Sequence, residues 1–218
     1  MISKAKSKSS QTSVDRRLEI AAAARSLIAE RGFEGLRTRD IAERVGINIA
    51  TLHYHVPTKE ALIGLVAQSL RDDFIAQHNS RPRGTLSPRD RLISEFDDFR
   101  ETLTANPERF KVMAELQERA RRDPERQAAV GPMQSFWFAR IAEILTRGRN
   151  DGSFRADLDP EVGALLVLGG MIASQRHPKA SPELFDRLCA ELLRSLDAPK
   201  PGGLPGTGPD KEIQNVFP

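Results

Sequence analysis

The stretch from Thr38 to Lys59, TRDIAERVGINIATLHYHVPTK, constrains the fold more than any other part of the chain. Thr38 is placed to cap a helix whose first turn carries Asp40, and Ile41, Ala42 and Val45 then recur at helical spacing. Gly46 follows at once and supplies the left-handed conformation that ends a helix, and Asn48 is a good cap for a second one. Two helices joined by about three residues form a helix-turn-helix, the arrangement that lays a recognition helix in the DNA major groove. At roughly 100° per residue, Leu52 and Val56 fall on the inward side of the second helix, and Ala50, Thr51 and Tyr54 fall opposite. Ala50 can meet a thymine methyl, Thr51 and Tyr54 a base edge or phosphate, and Lys59 a phosphate. Taken singly, each is also an ordinary surface residue.

The pattern as a whole is more specific. Ile20, Ala23 and Ala24, then ERGFEG at 30–35, TRDIAERVGI at 38–47 and ATLHYHVPTKEAL at 50–62 resemble the DNA-binding domain of the TetR/AcrR family of bacterial transcriptional regulators. The resemblance implies an all-helical homodimer that binds a double-stranded operator and releases it when a small-molecule effector occupies the C-terminal domain. It implies DNA contacts from Thr38, Arg39, Asn48, Ile49, Ala50, Thr51, His53, Tyr54, His55 and Lys59. Ala50 stands where glycine is common in the family, His53 and His55 replace aromatics, and Val56 replaces a phenylalanine. These departures bear on which bases are read rather than on how the helix docks.

Charge agrees with that placement. Residues 1–59 hold 11 Lys/Arg against 6 Asp/Glu, net +5, whereas the rest holds 22 against 24, net −2. Basic charge therefore collects around the motif, where it favours phosphate binding and electrostatic steering. The single cysteine, Cys189, permits no internal disulfide, and a cytoplasmic setting fits best. The N-terminus is basic but lacks the apolar run of a secretory signal. The longest apolar run, Val162 to Ala173, is interrupted by three glycines and is too short to span a bilayer, so no membrane association is expected.

The expected fold is all-α, with about nine helices in four segments: a basic disordered tail at 1–13, a helix-turn-helix domain with linker helix at 14–78, a helical ligand-binding and dimerisation domain at 79–198, and a disordered tail at 199–218. Lys4, Lys6 and Lys8 either follow the DNA backbone or form a solvated tail. The first helix is expected from Val14 to Glu30, ended by Gly32. SRPRGTLSPR at 80–89 is a loop, Ser87 and Pro88 open the first helix of the second domain, and Asn106 with Pro107 opens the next. A longer helix follows Pro124 to about Gly148, with a possible break at Gly131 and Pro132.

Phe96, Phe99, Phe110, Met113, Gln117, Gln134, Phe136 and Trp137 are the candidate ligand contacts, with Phe138 beside them and Arg140 as a further polar group. They either enclose an apolar ligand or make up a filled core. Asp159 and Pro160 start a helix that is apolar nearly all round and holds Gly163, Gly169 and Gly170, so that another backbone can come close. With the helix opened by Pro182, it suits a homodimer interface through 159–175 and 182–196.

Catalysis is not expected. No phosphate cradle, zinc-ligand pair or nucleophile elbow stands out, and no cofactor or metal is implied. His53 and His55, two residues apart, point about 200° from each other and cannot chelate one ion. The rival reading is a helical protein-interaction module without DNA-binding activity.

Overall fold

The computed structural model describes residues 2–121 and 124–198, with the side chains of 2–12, 125, 126 and 129 left aside. The described residues form nine helices: α1 (Ile2–Arg31), α2 (Thr38–Val45), α3 (Ile49–His55), α4 (Lys59–Asn79), α5 (Pro88–Ala105), α6 (Pro107–Ala120), α7 (Pro124–Asp151), α8 (Pro160–Arg176) and α9 (Pro182–Leu196). A lone antiparallel bridge, Phe154 to Asp197, ties the turn after α7 to the end of α9. No helix among the described residues is long and apolar enough to cross a membrane. The stretch 199–218, expected to be a tail, lies outside the described residues.

Caps account for most helix starts. The Asn48 side chain accepts from the Thr51 N–H, Thr58 from Ala61, Ser87 from Asp90, Asp159 from Glu161 and Val162, and Ser181 from Leu184. Each satisfies amide groups that the first helical turn leaves without a partner. Gly46 ends α2 at φ 71°, as its position in the motif requires.

Four boundaries differ from expectation. Thr38 is the first residue of α2 rather than its cap; Arg37 takes the capping position and makes no side-chain hydrogen bond. The first helix begins at Ile2, not near Val14, because residues 2–13 contain no proline or glycine to stop it. α7 runs unbroken through Pro132, which is exposed, while Val130 and Met133 on either side are buried and hold the helix to the core. It also continues past Gly148 to Asp151. A Cβ on Gly148 would lie 2.1 Å from the ring of buried Phe154, so glycine is required there for packing rather than for stopping the helix.

Two apolar clusters result. The first joins Ile20, Leu27, Phe33, Ile41 and Leu52 of the head to α4 and to Phe110, Val112, Leu116, Val130 and Met133 of α6 and α7. The second gathers Leu92, Phe96, Ile141, Leu145, Val167 and Phe185 from α5, α7, α8 and α9, with Phe154 from the turn after α7. Gly163 and Gly170 meet the side chains of Leu145 and Leu188 rather than another backbone, and Gly169 faces open space. α8, which the sequence suggests is wrapped on all sides, keeps Val162, Leu165 and Leu166 51–62% exposed.

Candidate nucleic-acid interface and small-molecule cavity

α3 is held by its inner face. Leu52 and Val56 are buried in the head core, and Arg17 Nη1 donates to the His55 carbonyl at 2.8 Å, satisfying a free group at the helix end. The outer face is left to solvent: Ala50 and His53 are exposed, Tyr54 is 82% exposed, and Thr51 is half-buried. The His55 ring stands edge-on to Tyr54 with centroids 5.1 Å apart. Ile49 is exposed as well, and Asn48, besides capping α3, stays accessible. Thr38, His53 and Lys59 share one groove between α2, α3 and the start of α4, and Arg39 lies exposed in the first turn of α2. This surface offers hydroxyls, imidazoles, an amide, a guanidinium and an ammonium, the groups that meet phosphates and base edges.

The frame behind it is braced by charge. Arg44 donates to both Glu30 oxygens, at 2.7 and 3.1 Å, and to Ser26 at 2.8 Å. The hydrogen bonds from Arg44 and then Ser26 draw the Glu30 carboxyl down to about 2.

A cavity of about 330 Å³ lies among α4, α5, α6, α7 and α8. Six of the eight candidate ligand contacts line it: Phe99, Phe110, Met113, Gln117, Gln134 and Trp137. Phe96 does not, being buried in the second apolar cluster. Phe136 does not either; it stands edge-on to Trp137 at 5.3 Å without joining the cavity wall. Sequence reasoning missed Phe74, Gln77, Glu95, Asp98, Thr102, Ile141, Leu168, Met171 and Ile172 as wall residues, and treated Phe138 only as a neighbour. The polar ones among them sit on amphipathic helices, where a polar residue reads as solvent-facing.

Against the cavity, at the α4–α5 end, lies a buried ion network. Arg83, from a loop that composition marks as surface, is only 8% exposed; Nη2 donates to Asp98 Oδ2 at 2.5 Å and Nη1 to Glu95 Oε1 at 3.4 Å. Arg140 Nε donates to the same Glu95 oxygen at 3.0 Å, and Arg81 pairs with Asp98 and Glu101. Burial pushes the Glu95 carboxyl up, against the pull of Arg140 and Arg83. Guanidinium N–H groups of Arg140 and Arg83 meet His78 Nε2 at 2.5 and 3.3 Å, so that nitrogen accepts and the proton belongs on Nδ1. Nδ1 lies 3.3 Å from Glu95 Oε1 but is misaligned for a hydrogen bond. His78, Glu95 and Asp98 place potential metal-ligand atoms within 4.8 Å of one another. Three guanidiniums already pair with these carboxylates, so the cluster is an ion network rather than a metal centre.

α6 joins the cavity to the head. While Phe110, Met113 and Gln117 face the cavity, Glu115 Oε2 accepts the Phe33 N–H at 3.2 Å. The Arg119 guanidinium lies 4.7 Å over the Phe33 ring and pairs with Glu34.

Comparison with known proteins agrees with this geometry. The model of the bacterial TetR regulatory protein family matches residues 20–66, which are α3 with the helices that frame it. The HTH-type transcriptional repressor KstR2 of Rhodococcus jostii (strain RHA1) is 27% identical over 164 residues, covering 67% of this chain and 72% of KstR2. The class A tetracycline repressor from transposon 1721 of Escherichia coli is 32% identical over 94 residues, 42% of each chain. A TetR-family regulator structure from Agrobacterium tumefaciens superposes with a TM-score of 0.71 at 19% identity, covering 85% of this chain and all of the other. A capped helix with a polar outer face, set in those matched residues and in that fold, makes residues 20–66 a DNA-binding domain of the type found in the TetR family of bacterial regulatory proteins.

Proposed function

We propose that the chain is a cytoplasmic homodimeric repressor that acts by binding, and that a small molecule in the α4–α8 cavity releases it from its operator. The observation that carries the DNA half is α3, pinned through Leu52 and Val56 and presenting Ala50, Thr51, His53 and Tyr54 outward. Thr38, Arg39, Asn48, Ile49, His55 and Lys59 complete the contact surface in this reading. The KstR2 and tetracycline relatives, both repressors by name, support the sign of regulation. The dimer half rests on Val162, Leu165, Leu166, Gly169 and Ala173, exposed along one face of α8 at helical spacing. With α9 beside it, two copies would pack as a four-helix interface and hold their recognition helices about 34–36 Å apart.

The test is selection of duplexes from a random-sequence pool with the full chain, followed by binding of the selected duplex at rising salt. Affinity should fall linearly on a log–log plot, and Lys59→Ala should reduce the slope by about one. Tyr54→Ala should weaken binding while the circular dichroism spectrum stays unchanged. Light scattering should give twice the 24.2 kDa chain mass, and Leu165→Arg should give one. No enrichment at low salt would favour the protein-interaction reading.

A further inference from the structure

We infer that the cavity takes a compact apolar molecule ending in a protonated amine, with Glu95 as the group that reads the amine. This rests on the proposal that the cavity is the effector site and names the chemistry it selects. The charged residues in the cavity wall are Glu95 and Asp98, both acidic, and no lysine, arginine or histidine joins them. Their guanidinium partners, Arg81, Arg83 and Arg140, approach from outside the wall.

The two carboxylates differ in what they have left to offer. Asp98 spends Oδ1 on Arg81 and Oδ2 on Arg83. Glu95, 4% exposed, takes Arg140 and Arg83 both on Oε1, which leaves Oε2 without a donor among the described residues. That oxygen is not one of the sealed polar atoms without a partner, which are Arg71 Nε, His78 Nδ1 and Gln175 Nε2 among the described residues, so a ligand N–H in the cavity can reach it and gain a hydrogen bond there. A charged donor makes the stronger bond. Burial still pushes the Glu95 carboxyl up against the pull of Arg140 and Arg83, and a further cation at Oε2 would act in the same direction as those two.

The rest of the wall suits the same ligand. Phe74, Phe99, Phe110, Trp137 and Phe138 present ring surfaces, and aromatic faces attract cations. Phe74 and Trp137 meet edge to face at 5.8 Å, while Phe99 and Phe110 lie 4.6 Å apart, so the rings already pack against one another with no ligand present. A carboxylate or phosphate ligand would instead meet Glu95 as a like charge at low dielectric, with no cation in the wall to receive it. The volume, about 330 Å³, is at the small end of ligand pockets and calls for a compact body.

Trp137 is the single tryptophan of the chain and lies in the wall, so its fluorescence reports occupancy directly. The probes are 1-adamantanemethylamine, 1-adamantanemethanol and 1-adamantanecarboxylate, which share one body, titrated at neutral pH into the full chain with calorimetry alongside. The amine should bind about tenfold more tightly than the alcohol, and the carboxylate more weakly than either. Glu95→Gln, which keeps an acceptor for Arg140, should erase the preference of amine over alcohol. If that variant fails to fold, the ranking of the three probes on the parent chain decides. An alcohol or carboxylate that binds as well as the amine overturns the assignment, and so does the absence of binding by all three. Amine binding that leaves the selected duplex bound upholds the ligand class and refutes the effector role.

Discussion

The head and the body of this chain treat charge and space in opposite ways. In the head, Ile20, Leu27, Phe33 and Leu52 close a core of apolar side chains, and ion pairs such as Arg44–Glu30 stay at its surface. In the body, Arg83, Glu95 and Asp98 are buried together beside about 330 Å³ of unfilled space. A filled core with surface charge gives a rigid platform for α3. A buried ion network beside a void is less well packed and can respond to what enters. The head core also extends into α6 through Leu116 and Val112, so the two regions share an element although they differ in packing.

The largest expected effect breaks the filled side of that contrast. Phe33→Ala should cost about 3–5 kcal/mol in denaturant unfolding, since the ring is fully buried and also carries Arg119. Next is Glu95→Ala, which leaves Arg83 and Arg140 facing one another without their shared carboxylate; about 3 kcal/mol is expected, within the range for breaking a buried pair. A smaller change, Ile172→Phe, adds volume where the cavity has room and should cost no more than about 1 kcal/mol, less than overpacking a filled core, while blocking amine quenching of Trp137. If it destabilises as much as Phe33→Ala, the space is not available and the contrast fails.

The smallest effect concerns the head's surface charge. Arg44→Ala should barely move the melting midpoint at physiological salt. The Glu30 carboxyl lies below its ordinary value in the folded chain, so the pair contributes above the unfolded value of 4.5 and loses its contribution as pH falls through about 2. In acid unfolding, the small stability offset between the parent and Arg44→Ala chains should therefore be constant above pH 4.5 and close as the pH falls through about 2.

Much of the head was legible before any coordinates, because its signals are local. Asn48 accepts from Thr51 three residues on, Gly46 turns the chain where α2 stops, and Leu52 and Val56 sit inward by period alone. Thr38 was misplaced by one residue, within the ordinary fraying of a helix start. The cavity was half legible. Phe99 and Phe110 line it as periodicity suggested, yet Phe96, one turn from Phe99, enters the second cluster, and Phe136, next to Trp137, stays outside the wall. A helix fixes the angle between neighbours; it does not say which of two adjoining interiors each will face.

By itself the sequence determined most of the helices, the caps at Asn48, Ser87 and Asp159, and which side of α3 turns to solvent, since these depend on residues within a few positions of one another. Only the tertiary structure decided that Arg83 leaves a surface loop to meet Glu95 and Asp98, that Gln77, Thr102 and Met171 line a common wall, and that Gly148 exists to admit Phe154. Those partners come from separate helices, and a polar or small side chain on an amphipathic helix carries no mark of which distant element will cover it.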